Sequence, residues 1–321
     1  MDNERKCCCL KGESSLEEWY NIAYEFVDSH RGGIVTFSYG ILAVGILQNI
    51  VYLAQIPLAA IELMRTKLRT NDEHTSWLVS SEITLPISIV IPAYNEEVTI
   101  VDTAIATLAT QYPSFEVIIV NDGSKDDTLD LLIKRFNLSK TERFYENKLE
   151  HKKIIAIYTS PVYSNLVVID KENGGRSDAL NTGIDVCRTP LFCTLDADSL
   201  LDPSALLKTI QPFIDKPEIV VATGGTIRVL NGCEVEAGMV TKLELSTNLL
   251  ALFQILEYNR AFLIGRLAWS CAGILTLISG AFSVFKRELA VDVGGFSTTT
   301  IGEDFELVLK MHKHCRYHKI K

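Results

Sequence analysis

The sequence predicts an α/β protein in which a Rossmann-like, mostly parallel sheet with helices on both faces follows one transmembrane helix. Two observations predict this arrangement. First, residues 32–61 contain no Asp, Glu, Lys or Arg. Second, from Leu85 onward short apolar runs alternate with amphipathic stretches of helical period. Alternation of this kind is typical of a parallel sheet that is covered by helices on both faces.

The composition excludes several classes of protein. The chain has 321 residues, of which 47% are hydrophobic and 22% are charged, so intrinsic disorder is excluded. Asp and Glu number 40 and Lys and Arg number 31, which gives a net charge of -9. Such a chain offers no basic surface for a row of phosphates, so we expect no nucleic-acid partner.

The uncharged run at 32–61 is long enough to cross a membrane. As a helix it would span about 45 Å, whereas the hydrocarbon core of a bilayer measures about 30 Å. A buried core helix is the alternative, but such helices rarely reach this length without a charge. We therefore predict a polar N-terminal segment at 1–31, a transmembrane helix at 32–66 and a linker at 67–84.

The charges that flank the run predict its orientation. Arg65, Lys67 and Arg69 follow it, whereas only Arg31 lies close before it. The positive-inside rule therefore places the larger, C-terminal part of the chain in the cytoplasm. A second uncharged run, Leu267–Phe285, is rich in Ser, Thr and Gly, which favours a buried pair of short elements over a second span.

The soluble part is predicted to alternate strands and helices. The predicted strands are Ile87–Ile91, Phe115–Val120, Lys152–Ile157, Leu166–Ile169, Leu191–Leu195 and Glu218–Ala222. The predicted helices are Glu97–Thr110, Asp126–Phe136, Arg176–Cys187 and Pro203–Phe213, with a later helix that begins near Gly302. Ligands of such sheets bind beyond the carboxyl ends of the strands. The loops that follow the strands are therefore the candidate site.

Three of these loops, at 92–97, 121–127 and 196–199, carry carboxylates. Turn formation or helix capping would explain each loop alone. Three such loops at one edge of a sheet favour a site for a divalent metal or a nucleotide. Asp196 and Asp198 are the most specific pair, because residues two apart at a strand end point to the same side. Carboxylate oxygens suit Mg²⁺ or Mn²⁺.

Two further segments are candidates. Gly174, Gly175 and Arg176 stand at a predicted helix start, which favours an anion, although a simple turn is the alternative. The absence of G-x-G-x-x-G and P-loop patterns disfavours dinucleotide oxidoreductases and P-loop NTPases. Glu303 and Asp304 open the later helix, where they either favour its dipole or supply a general base. Spacing leaves both interpretations open.

Six motifs occur in an order that resembles the membrane-bound processive family-2 glycosyltransferases, the synthases of cellulose, chitin, hyaluronan and poly-N-acetylglucosamine. They are IPAYNEE at 91–97, VNDGSKDDT at 120–128, KENGGRSDALNTGI at 171–184, LDADS at 195–199, SGAFSVFKRE at 279–288 and IGEDFEL at 301–307. The bacterial β-1,6-N-acetylglucosaminyltransferases look most similar. The resemblance implies a GT-A domain over 85–321 that is incomplete at its C-terminus, since the family's Gln-x-x-Arg-Trp motif is not reached.

The resemblance also implies an activity. It is that of an inverting, metal-dependent glycosyltransferase that moves a sugar, by overall likeness N-acetylglucosamine, from a UDP-sugar to a growing polysaccharide. The implied cofactor is Mg²⁺ or Mn²⁺, and the implied location is the bacterial inner membrane with a cytoplasmic catalytic domain. Two alternatives are transfer of a single sugar to a lipid acceptor, and a non-catalytic nucleotide-sugar-binding partner of a complete synthase.

Site residues follow from the same resemblance. The donor-binding residues would be Pro92, Ala93, Tyr94 and Glu96 beside the uridine, Asp122 bonded to the base, and Arg176 and Asp196 near the diphosphate. Arg176 stands where the family usually has Lys. Asp196 and Asp198 match the DxD pair, with Asp198 as the direct metal ligand. Asp304, beside Glu303, matches the acid that deprotonates the acceptor, and Gly280 and Ala281 would line the acceptor side. The last motif reads Gly-Glu-Asp where the family has Thr-Glu-Asp.

Overall fold

The computed structural model describes residues 19–22, 24–25, 27–69, 84–236 and 239–317. Most of the predicted polar N-terminal segment and of the predicted linker lies outside these residues. The chain divides into two compact units after Pro57, and each is described by itself.

Helix α1 covers Arg31–Arg69 and contains Pro57. Among the described residues it is the one helix that is long and apolar enough to cross a membrane, over Arg31–Thr66. Apolar side chains are exposed all round it, for example Phe37 and Val44, whereas a surface helix of a soluble protein would have one polar face. By length and composition α1 suits the predicted span, and insertion into a membrane stays a prediction.

The second unit contains ten strands and eight further α-helices among its described residues. The strands are β1 Ile87–Ala93, β2 Phe115–Asn121, β3 Ser139–Thr141, β4 Ile154–Thr159, β5 Leu166–Lys171, β6 Leu191–Leu195, β7 Ala222–Gly224, β8 Glu234–Glu236, β9 Met239–Lys242 and β10 Phe282–Lys286. The helices are α2 Ile100–Leu108, α3 Thr128–Phe136, α4 Arg176–Val186, α5 Ala205–Asp215, α6 Leu249–Asn259, α7 Leu267–Cys271, α8 Arg287–Asp292 and α9 Glu303–Tyr317. A π-helix, Arg260–Arg266, joins α6 to α7.

Eight strands form one sheet in the order β3-β4-β5-β2-β1-β6-β10-β7, and β8 pairs with β9 separately. The central strands β5, β2, β1 and β6 are parallel neighbours. Strand β4 is antiparallel to β5, and β10 is antiparallel to β6. The outer strands β3 and β7 are antiparallel to β4 and β10 in turn, so they run in the same direction as the central strands. Six of the eight strands therefore share one direction, which confirms the predicted mostly parallel sheet.

The sheet has a core on each face. Side chains alternate along a strand, so Ile89 of β1 packs in one core and Val90 in the other. Helices α2, α3 and α5 cover the first face. Helices α4 and α9 cover the second, for example through Leu180 and Leu307. Helices lie on both faces, as the sequence predicts.

Two elements differ from the predictions. The predicted strand Glu218–Ala222 is wrong, because the N–H groups of Ile219 and Val220 both donate to the Lys216 carbonyl in a turn, at 3.1 and 3.0 Å. The strand begins only at Ala222. The run Leu267–Phe285 does form two short elements, α7 and β10, but it is buried only in part, since Ile274 is 55% exposed.

An irregular segment at 148–152, which we call the strap, lies along α4. Two of its backbone N–H groups donate to Asp185 at 2.9 Å, and a third donates to Asp178 at 3.0 Å. Asn181 donates to a strap carbonyl at 3.3 Å. These three helix residues are three and four positions apart and so share one face. The strap therefore fixes the helix that begins with Arg176.

Candidate functional site

The loops that follow β1, β2, β5 and β6 meet at one edge of the sheet, because these four strands are parallel neighbours. Strand β10 runs the other way, with Phe282 opposite Leu195. The residues before β10 therefore reach the same edge, and the Asp196 N–H lies 3.4 Å from the Ala281 carbonyl oxygen. The three acidic loops lie together as expected, and the segment that contains Gly280 and Ala281 joins them.

The loops after β1 and β2 hold each other. Asn95 has φ 58°, a left-handed conformation that Asn tolerates better than most residues. Its N–H donates to Ser124 Oγ at 3.0 Å, and its side-chain oxygen accepts from the Lys125 N–H at 2.8 Å. The Glu96 N–H donates to Thr128 Oγ1 at 2.8 Å. Tyr94, 43% exposed, is thus presented on a fixed loop.

Pro92 and Ala93 end β1 at the base of this loop. Ala93 is buried, and its carbonyl accepts from the Asp122 N–H at 2.9 Å. Glu96 is half-buried, and its carboxylate accepts from Thr99 Oγ1 at 2.9 Å. All four residues lie at the carboxyl end of β1. Their contact with a uridine stays a prediction.

Asp122 holds the turn before α4, and its predicted bond to a base stays a prediction. Its carboxylate accepts from Lys171 Nζ at 2.5 Å and from the N–H groups of Gly174 and Gly175, at 3.0 and 2.7 Å. The residue is 2% exposed. Because both oxygens accept hydrogen bonds from this turn, the carboxylate of Asp122 holds Gly174 and Gly175 in place.

Lys171 joins two carboxylates in the interior. Its side chain is fully buried and lies 2.5 Å from Asp122 and 2.6 Å from Asp178. Asp178 is the acid in the first turn of α4. A Cβ on Gly174 would lie 2.4 Å from the Asp178 carboxyl carbon, so a larger residue there would displace this carboxylate. Sequence reasoning assigned no role to Lys171. The available signal was a Lys at the last position of a strand whose first four residues are apolar and buried.

Arg176 connects the loop after β6 to the start of α9. Its guanidinium donates to Asp196 Oδ1 at 2.8 Å through Nη2 and at 3.3 Å through Nε. Nη1 donates to Glu303 Oε1 at 2.8 Å, and Nη2 also donates to the Gly280 carbonyl at 2.9 Å. Burial lowers the pKa of Arg176, but Asp196 and Asp304 outweigh it and the net pKa is raised.

Asp304 is the freer of the two adjacent acids. Its Oδ1 lies 3.6 Å from Arg176 Nη1, whereas the Glu303 oxygen is engaged at 2.8 Å. Burial raises the pKa of Asp304; Arg176 opposes this, and Glu303 and Asp196 add to it. A Cβ on Gly280 would lie 2.1 Å from Asp304 Oδ2, so the glycine lets the backbone approach this carboxylate.

Asp198 is exposed, and its one hydrogen-bond partner among the described residues is Ser199 Oγ at 3.4 Å. The described residues contain no group of three or more His, Cys, Asp or Glu side chains that could hold a metal. Mg²⁺ commonly binds through one or two carboxylates together with substrate phosphates and water. The hard-oxygen pair of Asp196 and Asp198 fits such an ion.

Arg266 is a second cation near the site. Arg266 is the last residue of the π-helix and is half-buried. Its guanidinium carbon lies 3.8 Å from the centroid of the Phe262 ring. Burial lowers the pKa of Arg266, and the charge of Asp304 opposes this. Within the described part of the chain Arg266 has no hydrogen bond or ion pair. π-Helical turns are frequent at functional sites, but a π-helix has no sequence signal that could have revealed this one.

Comparison with known proteins identifies the family. The model of glycosyl transferase family 2 matches residues 88–289. The chain is 31% identical over 229 residues to the poly-beta-1,6-N-acetyl-D-glucosamine synthase of Staphylococcus epidermidis. It is 32% identical to the synthase of the same name from Staphylococcus aureus strain COL. Each match covers 70% of this chain and 45% of the relative, so the chain spans less than half the length of these curated relatives.

Solved structures show more distant likenesses. The mannosyltransferase PcManGT of Pyrobaculum calidifontis, in complex with GDP-Man and Mn²⁺, is 17% identical with a TM-score of 0.47. That match covers 81% of this chain and 63% of the other. Residues 1–349 of Staphylococcus aureus TarS, in complex with UDP-GlcNAc, are 19% identical with a TM-score of 0.41. That match covers 71% of this chain and 53% of TarS.

The family match covers all six motifs but the last, and it agrees with the GT-A arrangement that the resemblance implied. A mostly parallel sheet, helices on both faces and acidic loops at one sheet edge are all present. The chain belongs to glycosyl transferase family 2.

Proposed function

We propose that this chain is the catalytic part of an inverting, metal-dependent glycosyltransferase. It moves N-acetylglucosamine from a UDP-sugar to a growing polysaccharide at the cytoplasmic face of a bacterial inner membrane, to which α1 anchors it. The observation that carries the proposal is the group formed by Arg176, Asp196, Glu303 and Asp304 at the carboxyl edge of the sheet. The names of the curated relatives support the choice of sugar and of a polymer acceptor.

Asp304 acts as the general base. A half-buried carboxylate with a raised pKa is a stronger proton acceptor than an ordinary Asp. It takes the proton of the acceptor hydroxyl, whose oxygen attacks the anomeric carbon of the donor from the side opposite the diphosphate. The bond between the sugar and the diphosphate breaks, and the configuration at that carbon inverts. Glu303 keeps Arg176 in place and takes no proton.

The other residues bind the donor and the acceptor. Arg176 faces the diphosphate, and Gly280 and Ala281 leave room for the acceptor beside Asp304. A divalent ion held by Asp198 and Asp196 would neutralise the diphosphate as a leaving group. The loop of Pro92, Ala93, Tyr94 and Glu96 contacts the uridine. Asp122, whose carboxylate is occupied, acts indirectly by holding the turn before Arg176.

The proposal is tested with full-length protein in detergent, UDP-GlcNAc and Mn²⁺, by measuring released UDP and polymer. Asp304→Asn should lower turnover by about 10²- to 10⁴-fold, because general-base catalysis contributes this much, and should leave donor affinity unchanged. Glu306→Gln is the matched control: it lies two residues along α9, and its carboxylate pairs with Lys310 at 2.9 Å. It should keep its activity.

Three results would contradict the proposal. Asp304→Asn with turnover close to that of wild type would reject the base. Donor binding by the wild type without any turnover would favour a non-catalytic nucleotide-sugar-binding partner. Transfer of one sugar to a lipid, with no polymer, would reject the polysaccharide acceptor and retain the enzyme.

A further inference from the structure

Arg176 occupies one oxygen of Asp196, the first carboxylate of the pair proposed to hold the metal. Two of its nitrogens converge on a single oxygen, Asp196 Oδ1, at 2.8 and 3.3 Å. The side chains of Arg176 and Asp196 are 32% and 33% exposed, so this ion pair is open to solvent and can exchange. Asp198, two residues on, is exposed and has no bond to a cation among the described residues.

The opposite side of the guanidinium is fixed. Nη1 donates to Glu303, which is 15% exposed, and Nη2 donates to the Gly280 carbonyl. Arginine carries five N–H donors in a planar fork. If its bonds to Asp196 break, the guanidinium stays in the site because Glu303 and the Gly280 carbonyl still hold it. The N–H of Nε and one N–H of Nη2 then become free.

We propose that Arg176 and the divalent cation compete for Asp196 Oδ1, and that a cation which takes this oxygen releases the guanidinium to the donor diphosphate. The inference rests on the proposed function, since it needs the DxD pair to hold the metal. The like charges of a divalent cation and a guanidinium repel each other at one carboxylate oxygen, so a cation at Asp196 Oδ1 weakens the bonds from Arg176 to that oxygen. The freed N–H groups suit a phosphate, which a guanidinium binds through paired hydrogen bonds.

The consequence is coupling between the two ligands. The cation alone must displace Arg176, so its apparent affinity is reduced by the fraction of molecules in which Asp196 is free. When the diphosphate is also present, Arg176 gains a new partner and the displacement becomes favourable. Metal and donor therefore strengthen each other's binding, as reciprocity of linked equilibria requires.

The test measures the affinity of the full-length protein for Mn²⁺ alone, from the electron paramagnetic resonance signal of the free ion. Arg176→Met removes the competing donors and should tighten Mn²⁺ binding by about tenfold, the worth of one charge-assisted hydrogen bond. Arg266→Met is the matched control: it removes a nearby positive charge that makes no bond to Asp196. It should change the affinity far less.

The remaining variants keep the outcomes distinct. Unchanged or weaker Mn²⁺ binding by Arg176→Met overturns the inference, and so does equal tightening in both variants, which is a through-space charge effect. If Arg176→Met does not fold, Arg176→Lys replaces it, because Lys keeps the charge but lacks the planar set of guanidinium donors. Tighter Mn²⁺ binding by Arg176→Lys supports competition, and unchanged binding overturns it. Asp198→Ala tests the metal assignment separately. If it leaves Mn²⁺ affinity intact, the metal site of the proposed function fails, whatever Arg176 does.

Discussion

Removal of the Lys171 side-chain charge should destabilise the second unit strongly. The Nζ atom is fully buried and lies 2.5 Å from Asp122 and 2.6 Å from Asp178. Removing one partner of a buried ion pair costs about 3–5 kcal/mol, because the remaining charge is left uncompensated. In Lys171→Met two carboxylates lose their cation, although backbone N–H groups of the Gly174–Gly175 turn and of the strap still bond to them. We therefore expect a loss of about 4 kcal/mol.

Such a loss is a large part of the roughly 5–15 kcal/mol by which a typical protein is stable. For a unit of this size it corresponds to a fall in Tm of about 10 °C. Urea and thermal unfolding of the full chain in detergent, followed by circular dichroism, measure it. Lys148→Met is the control, because Lys148 pairs with Glu146 at an equal 2.6 Å but both side chains are about half exposed. It should unfold like wild type.

Two outcomes separate burial from pairing. Equal effects of Lys171→Met and Lys148→Met would refute the reasoning, because ion-pair distance rather than burial would then set the cost. The double variant Lys171→Met/Asp178→Asn removes one uncompensated charge, so it should be more stable than Lys171→Met alone. A further loss of stability in the double variant would point to the hydrogen bonds of Asp178 rather than to its charge.

Two more predictions concern activity and pH. Gly280→Ala should lower turnover in the UDP-release assay by about 100-fold, because its Cβ would lie 2.1 Å from Asp304 Oδ2 and displace the base. Gly265→Ala is the control, since a Cβ there meets no atom closer than 3.6 Å. Equal activities would contradict the close approach. The Asp185 carboxylate, 3.5 Å from His151 Nε2, raises the pKa of His151 although burial opposes it. This pair therefore stabilises the protein below about pH 6.5, and the stabilisation is lost as pH rises through the raised value. In His151→Gln the free energy of unfolding, measured as a function of pH, should lack the decrease that His151 causes as pH rises through its pKa. A pH profile equal to that of wild type would reject this role of His151.

The sequence predicted those parts of the fold that are coded locally. Strands β1, β2 and β6 are buried apolar runs, and polar turn residues mark their ends. Because parallel neighbours end at one edge, the loops at 92–97, 121–127 and 196–199 could be assigned to one site from the amino-acid pattern alone. Strand β10 was not predictable as a strand of opposite direction, since an uncharged run such as Leu267–Phe285 shows apolarity without direction.

The partners within the site could not be read from the sequence. Asp122 lies in an Asn-Asp-Gly-Ser segment that suits any turn, and its bond to Lys171 spans 49 positions. Arg176 reaches Asp196 over 20 positions and Glu303 over 127. Such contacts depend on how the sheet brings distant loops together. Motif spacing therefore identifies the residues at the edge but not which of them are already engaged.

The strap sets a limit on how this chain can vary. Residues 148–152 look like a surface connection, the kind of segment where insertions and deletions are normally tolerated. Here the backbone itself is bonded to successive turns of α4, so a change of one residue in length would shift every one of these bonds. A library of insertions should therefore be depleted at 148–152, and the depletion should follow loss of transferase activity as well as loss of folded protein.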